Sequence, residues 1–433
     1  MSHVHDLFKR LQQAGVMLSL EGEQLRVRAP EGVLSQEMLA EIKAGKESII
    51  AFIRQHRHGK TWLDDIEPAE KREYYILSPV QKRLFFIQQL DKESYAYNMT
   101  GVLEVVGKCD KERLGQVFRG LVSRHESLRT AFFLVSDEPV QRVYEKVDFD
   151  LEVLSTDGRG GQGGRNGQGP ERVAAAIPAP APDRQSAIIQ SFVRPFDLKT
   201  APLLRVGWVQ LAEERHILVI DMHHIISDGY SIGIVTREFM TLFQGNSPAP
   251  LTIQYKDYAV WQGQEGVRGL IKQMETSWLE RFSGAIPVLT LPNDFPRPAF
   301  QDFRGDSITF DLEKEAVRDL QALANRQEAT LYMVLLAAFY VCLSRSRGQE
   351  DVVVGAPVAG REHDCLQAIV GMFVNTLAMR NAPHLGKRFS AFLNEVKEST
   401  VLGFQDQLYP LEELVDRVVK SRDSSRNPLF DVM

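Results

Sequence analysis

From Tyr75 onward, segments with helical spacing of apolar residues alternate with segments of strand spacing, and this mixture constrains the fold most strongly. Helical spacing occurs in SPVQKRLFFIQQL (78–90) and KERLGQVFRGLVSRH (111–125), whereas HILVIDM (216–222) has the alternation of a strand. Such a mixture is typical of an α/β sandwich. The sequence therefore predicts an α/β fold over this part of the chain.

The length of the chain, 433 residues, is too great for one compact core and indicates two or three structural units. We predict two α/β lobes, over residues 75–247 and 248–433. In the second lobe, helical segments surround the apolar strand DVVVGAPVA (351–359). The glycine- and proline-rich residues 157–184 are predicted to form a flexible surface insertion in the first lobe.

Residues 1–57 have the pattern of a separate small αββαα unit, followed by a polar linker over 58–74. An amphipathic helix ends near Gly15, and VMLSLEGEQLRVRAP then alternates about a turn, as a β-hairpin does. Two further helical patterns follow from Ser35. The apolar face of this unit is larger than so short a chain can bury, which predicts association with a partner chain.

Charge and cysteine content exclude several classes of protein. The net charge of -6 gives no basic footprint for nucleic acid. The cysteines are three in number and far apart, which fits neither a disulfide framework nor a zinc site and indicates a reducing compartment. The N-terminal residues lack the apolar core of a signal peptide, and the longest apolar run, 331–343, is too short to span a bilayer and predicts a buried helix. We predict a cytoplasmic protein without nucleic-acid or membrane partners.

The stretch VIDMHHIISDGYS (219–231) concentrates the residues most able to do chemistry. A histidine at the end of a buried strand is often only a hydrogen-bonded structural residue. A metal site is disfavoured, because adjacent side chains on an extended backbone point to opposite sides and no further ligands suggest themselves. General-base chemistry needs one neutral imidazole held by its neighbours, so one histidine could face a substrate while the other packs inside. Gly229 allows a backbone geometry that other residues cannot adopt.

The motif HHIISDG resembles the HHxxxDG signature of the condensation domains of nonribosomal peptide synthetases, which have a two-lobed, V-shaped, chloramphenicol-acetyltransferase-like fold. Other motifs of that family occur in order: SPVQKRLFFIQQL, RHESLRTAF, YKDYAVW, VGMFVNTLAMR, YPLEELV and RDSSRNPLF. Residues 1–57 resemble a TubC-type docking domain. Because family members continue beyond the last motif, the resemblance also predicts that the second lobe is incomplete.

This resemblance implies peptide-bond formation between two substrates carried as thioesters on the phosphopantetheine arms of a donor and an acceptor carrier protein, with no cofactor in the chain itself. Within the family, the sequence most resembles the subtype that joins an L-configured donor residue to an L-configured acceptor. The docking unit would dimerise and receive the C-terminal tail of an upstream synthetase subunit, with Arg26 and Arg28 as contacts for an acidic tail or as ordinary solvated charges. A non-catalytic docking and carrier-recognition fragment, or an acyltransferase of the same fold, are the alternatives.

The resemblance also assigns roles within the HHxxxDG loop. His224 corresponds to the active-site histidine, which either removes a proton from the attacking amine or positions that amine, while His223 is structural. Asp228 would form a buried ion pair with Arg205, and the backbone N–H of Gly229 would approach the tetrahedral oxyanion.

Three further residues lie in motifs that the family places near the tunnel between the lobes. We expect Arg124 and His125 mainly to stabilise the first lobe. Asn375 is expected either near the tunnel or as a capping residue of its loop. Tyr258 and Trp261 are expected to pack within a lobe.

Overall fold

The computed structural model of the chain describes residues 17–21, 24–28, 41–43, 45–46, 66–107, 110–154, 189–301, 305–384, 386–421 and 423–433. The chain divides into two compact units, Met1–Ile66 and Glu67–Met433. The division lies inside the predicted linker. The predicted insertion over 157–184 lies outside the described residues.

The first unit contains the predicted hairpin. Strands β1 (Met17–Glu21) and β2 (Gln24–Arg28) pair antiparallel, with Met17 opposite Arg28 and Ser19 opposite Arg26. Arg26 and Arg28 both lie in β2. Their side chains lie outside what the structure describes, as do most of the predicted helices of this unit.

The first half of the second unit is built from two sheets. Its strands are β3 (Tyr75–Ile76), β4 (Asn98–Val106), β5 (Thr130–Val135), β6 (Glu138–Val143), β7 (Glu152–Leu154), β8 (Leu204–Ala212) and β9 (Arg215–His223). One sheet has the order β3-β6-β5 and the other β4-β9-β8-β7, in which only β7 and β8 are parallel. Strand β9 confirms the prediction over 216–222; it is a central strand of its sheet and is buried along most of its length.

This half of the unit also contains three long helices. Helix α1 (Pro79–Leu90) begins at a capping box in which Ser78 and Gln81 satisfy each other's backbone N–H groups, and Pro79 occupies the first helical position. Helix α2 (Lys111–Arg124) begins at the side chain of Asp110. Helix α3 (Gly229–Phe243) follows β9 after a short 3-10 turn. The helices predicted over 78–90 and 111–125 are thereby confirmed.

The second half of this unit is mainly helical. It contains α4 (Tyr255–Gln262), α5 (Glu265–Arg281), α6 (Lys314–Arg326), α7 (Leu331–Arg347), β10 (Val352–Val358), β11 (Asn375–Asn381), α8 (Phe389–Gln405) and α9 (Leu411–Val418). Strands β10 and β11 pair antiparallel. Tyr340 of α7 and Phe392 of α8 meet edge to face in the core that these helices share with β10.

The apolar run 331–343 lies in α7 and is buried on only one face, which corrects the prediction of a buried helix. Val334, Ala337 and Tyr340 are buried at helical spacing, whereas Tyr332 and Leu335 are more than 40% exposed. Composition alone could not reveal this difference, because both faces of the helix are apolar. Among the described residues, no single helix is long and apolar enough to cross a bilayer; α6 and Leu331–Ser346 meet those criteria only as a pair, bent by 103°.

Candidate active site

The two adjacent histidines lie where β9 ends and the 3-10 turn His224–Ile226 begins. Two neighbouring segments fix their backbone: the N–H of His223 donates to the carbonyl of Leu203 at 3.0 Å, and that of His224 to the carbonyl of Tyr97 at 2.8 Å. The end of a central strand therefore holds both imidazoles on a rigid support.

His223 has the environment of a structural residue. Its Nδ1 accepts from the backbone N–H of Ile225 at 3.1 Å, so in this contact the ring proton must be on Nε2, which lies 3.3 Å from Oε1 of Gln88. Burial, reinforced by the neighbouring charge of His224, lowers the pKa of His223 to about 3. The ring therefore stays neutral at physiological pH.

His224 is only partly buried, and its ring has a defined orientation. Its Nδ1 lies 2.7 Å from the carbonyl oxygen of Ser227. A carbonyl oxygen can only accept, so Nδ1 carries the proton and the neutral ring has its lone pair on Nε2. Nε2 is thus available to accept a proton or a hydrogen bond from an incoming group.

Asp228 is fully buried and forms its ion pair with Arg361, not with Arg205. Nη2 of Arg361 lies 3.1 Å from Oδ1 of Asp228, and Nη1 donates to the carbonyls of Leu366 and Ile369 at 2.6 Å each. Burial lowers the pKa of Arg361, and Asp228 opposes that shift. A guanidinium with these partners holds the segment after β10 against the start of α3.

Ser231 completes this buried cluster. Its backbone N–H and its hydroxyl both lie 2.7 Å from Oδ1 of Asp228, and its Oγ also lies 2.9 Å from Nη2 of Arg361. The same Oγ accepts from the backbone N–H of Gly371 at 3.1 Å, and the N–H of Phe373 donates to Oδ2 of Asp228 at 3.1 Å. Two segments more than 130 residues apart in sequence are therefore joined at the N-terminus of α3.

The predicted pairing of Arg205 with Asp228 is wrong, and strand register explains why. Arg205 of β8 lies directly opposite Asp221 of β9, so their side chains share one face of the sheet. Nη2 of Arg205 lies 3.1 Å from Oδ2 of Asp221, and the guanidinium stacks over Phe196. Burial lowers the pKa of Arg205 to about 10 and raises the pKa of Asp221. Asp228 lies beyond the end of the strand, where that register no longer applies.

Gly229 is the first residue of α3, and the side chain of Asp228 caps the helix through the N–H of Ser231. Gly229 does not have a positive φ, so the expectation of a backbone geometry restricted to glycine is wrong. A Cβ at this position would meet no atom within 4 Å, so the space beside the helix start is open.

Arg124 and His125 lie at the end of α2 and bind one carboxylate of α3. Oε2 of Glu238 lies 2.9 Å from Nε of Arg124 and 2.6 Å from Nε2 of the fully buried His125. Burial raises the pKa of Glu238, but the hydrogen bonds from His125 and Arg124 outweigh that effect and lower it overall. These contacts fasten α2 to α3 and agree with the expected structural role.

Asn375, at the start of β11, caps a loop and also lines a small cleft. Its Nδ2 donates to the carbonyls of Gln407 and Tyr409 at 2.8 Å each. The cleft contains Pro79, Tyr258 and Phe373 as well. The contacts agree with a loop-capping role, and a position near the tunnel stays a prediction.

Arg361 and Ser231 are the residues of this site that sequence reasoning missed. Tyr258 and Trp261, in contrast, are buried and stack on each other, as expected for packing residues. The only local signal for Arg361 is a charged residue shortly after the apolar strand VVVGAPV, which indicates a polar group at a strand end. No pattern connects it with a carboxylate 133 positions earlier.

Comparison with known proteins shows the family to which the chain belongs. The sequence profile of the condensation domain matches residues 71–433, and that of the TubC N-terminal docking domain matches residues 4–55. The chain is 45% identical over 375 residues to tyrocidine synthase 3 from Brevibacillus parabrevis and 43% identical over 368 residues to gramicidin S synthase 2 from Brevibacillus brevis. These alignments cover 87% and 85% of this chain but only 5% and 8% of the two relatives.

Solved structures resemble the chain in fold. The X-domain from teicoplanin biosynthesis superimposes with a TM-score of 0.72 at 22% identity, covering 84% of this chain and 78% of that one. The first condensation domain of the CDA synthetase superimposes with a TM-score of 0.61 at 19% identity, covering 80% of each chain. The mixed α/β fold expected from the sequence is therefore shared with solved condensation domains.

Proposed function

The chain belongs to the condensation-domain family, and from that premise we propose that it forms the amide bond of nonribosomal peptide synthesis. The amine of an acceptor thioester attacks the carbonyl carbon of a donor thioester and forms a C–N bond. The tetrahedral intermediate then collapses, the C–S bond breaks, and the donor thiolate leaves with the proton lost by the amine. The observation that carries this proposal is the ring orientation of His224, which leaves Nε2 unprotonated in the neutral form.

His224 acts on the acceptor amine. With Nδ1–H bonded to the carbonyl of Ser227, the lone pair of Nε2 can accept the N–H of the attacking amine and, as the C–N bond forms, its proton. The same hydrogen bond orients the amine before attack. A base of this kind contributes about 10²–10⁴-fold to the rate.

The start of α3 stabilises the developing oxyanion. The first N–H groups of a helix have no acceptor inside the helix and carry partial positive charge. Asp228 takes the N–H of Ser231, while the open space beside Gly229 admits a substrate carbonyl close to the backbone. The carboxylate of Asp228 is neutralised by Arg361 and is therefore compatible with a nearby oxyanion.

Carrier proteins and an upstream subunit are the partners that this function requires. We assign the two acyl groups to phosphopantetheine arms of a donor and an acceptor carrier protein, in keeping with the synthetases to which the chain is similar.

The match over residues 4–55 supports docking of the C-terminal tail of an upstream subunit on the β1–β2 hairpin. In the described residues this sheet has only two strands, so an extended tail can add along its edge. Arg26 and Arg28 of β2 are the cationic residues that we assign to acidic residues of the tail. Reversing both charges should weaken binding of an acidic tail peptide, measured by calorimetry at two salt concentrations.

The catalytic proposal is tested with two separately loaded carrier proteins and detection of the condensed thioester by mass spectrometry. We expect product with the native chain, a loss of about 10²–10⁴-fold in His224→Ala, and native rates in His384→Ala, whose ring is exposed. Carrier binding without product in the native chain would contradict the proposal and favour a scaffold role. Product from free substrates but not from loaded carriers would indicate an acyltransferase of another type.

A further inference from the structure

The side chain of Gln88, on the buried face of α1, connects the active-site loop with a neighbouring loop. Its Nε2 faces the carbonyl oxygens of Asp91, Lys92 and Ser94 at 3.1–3.4 Å, and its Oε1 lies 3.3 Å from Nε2 of His223. Three carbonyls can only accept, so the amide nitrogen must face them and the amide oxygen must face His223. The side chain is 3% exposed.

The loop that Gln88 holds returns to the active site at its other end. Residues 91–97 lead from α1 to β4, and the carbonyl of Tyr97 accepts the backbone N–H of His224 at 2.8 Å. Each histidine of the pair is therefore attached to this segment, His223 through Gln88 and His224 through Tyr97. A displacement of the loop would move both attachments together.

We infer that Gln88 is a positioning residue for amide formation, a role that rests on the proposed function. Its oxygen fixes the Nε2–H tautomer of His223, whose Nδ1 then accepts the N–H of Ile225 and sets the turn that carries His224. Its nitrogen holds residues 91–94, and with them the carbonyl that binds the His224 backbone. Nε2 of His224 is thereby kept where the acceptor amine arrives.

His223 cannot adapt to the loss of Gln88 by moving its ring proton. The other ring nitrogen, Nδ1, already accepts from Ile225, so a proton there would face a second N–H. A leucine at position 88 therefore leaves a buried N–H without an acceptor and three carbonyls without their donor. The turn must shift to reach other partners, which displaces His224.

The test compares Gln88→Leu with Gln89→Leu, the same change at the adjacent residue of the same helix. Amide formation is measured as a function of carrier concentration, and ¹⁵N NMR of histidine-labelled protein reports the tautomer of His223. In Gln88→Leu we expect turnover at saturating carriers to fall about tenfold or more, half-saturating carrier concentrations to stay the same, and the Nε2–H resonance of His223 to shift because its acceptor is gone. Gln89→Leu should change none of these. A folded Gln88→Leu protein with native turnover and a native His223 signature overturns the inference.

Gln88→Glu separates the two ends of the amide and decides the matter if Gln88→Leu does not fold. A carboxylate still accepts from His223 but cannot donate to the three carbonyls. We expect the Nε2–H signature of His223 to persist and turnover to fall several-fold; unchanged turnover would refute the role of the loop. If the native chain forms no amide, the proposed function fails, whereas the NMR comparison still tests the hold of Gln88 on His223.

Discussion

The buried pair between Asp228 and Arg361 allows a double-mutant cycle whose outcome the structure specifies. The substitutions are Asp228→Asn and Arg361→Met, alone and together. Arg361→Met removes the bonds of the guanidinium to the Asp228 carboxylate, to Ser231 and to two backbone carbonyls. Asp228 then keeps only the bonds from Ser231 and Phe373. Each single change leaves a buried group uncompensated.

The expected magnitude follows from that loss. Removing one partner of a buried ion pair costs about 3–5 kcal/mol of unfolding free energy. Removing both leaves no unpaired charge, so the double variant should be more stable than the sum of the single changes predicts, by about 2–3 kcal/mol. Urea unfolding followed by tryptophan fluorescence measures all four proteins, since Trp208, Trp261 and Trp278 are buried in the second unit.

The matched control pairs Asp228→Asn with Arg205→Met, because Arg205 is the arginine that the sequence suggested. These two side chains share no bond in the described structure, and their effects should add within about 0.5 kcal/mol. A coupling with Arg205 together with additivity for Arg361 would refute the pairing of Asp228 with Arg361.

Two further outcomes are expected. The pKa of His223 is about 3 in the folded chain against an ordinary 6.5, so the unfolded chain binds the extra proton between these values and stability falls with decreasing pH below 6.5. Relative to His223→Asn, the native chain should lose about 1.4 kcal/mol per pH unit there in urea titrations; a constant difference between the two proteins would contradict this. Asn375→Ala removes two hydrogen bonds to the 407–409 loop and should cost about 1–2 kcal/mol, with faster hydrogen exchange in that loop. The isostere Asn375→Asp also cannot donate these bonds and should not restore them, whereas native stability in Asn375→Asp would show that packing alone matters.

Local signals in the sequence were sufficient for the elements that carry the site. Ser78 and Pro79 mark the start of α1 through capping chemistry, and the apolar residues of β9 end at the histidine pair as the alternation predicts. The adjacent imidazoles lie in different environments, one buried and one partly exposed, as expected, although the strand ends at the first of them. Features encoded within a few residues were therefore predictable.

Features that depend on pairing between distant segments were not predictable. Arg205 was matched with the wrong carboxylate because the choice between Asp221 and Asp228 depends on the register of β8 and β9, which no single-chain pattern fixes. Arg361 reaches Asp228 only after the chain has folded back over 133 residues. Gly229 was singled out for backbone freedom, whereas the structure gives it no positive φ and shows open space beside it.

The cluster around Ser231 has a consequence for engineered chimaeras of such synthetases. Asp228 and Ser231 precede any crossover point placed between α3 and β10, whereas Arg361, Gly371 and Phe373 follow it. A recombinant assembled there inherits the two sides of one hydrogen-bonded cluster from different parents. Grafting β10 through Phe373 from the same parent as the histidine loop preserves the native partners at that junction.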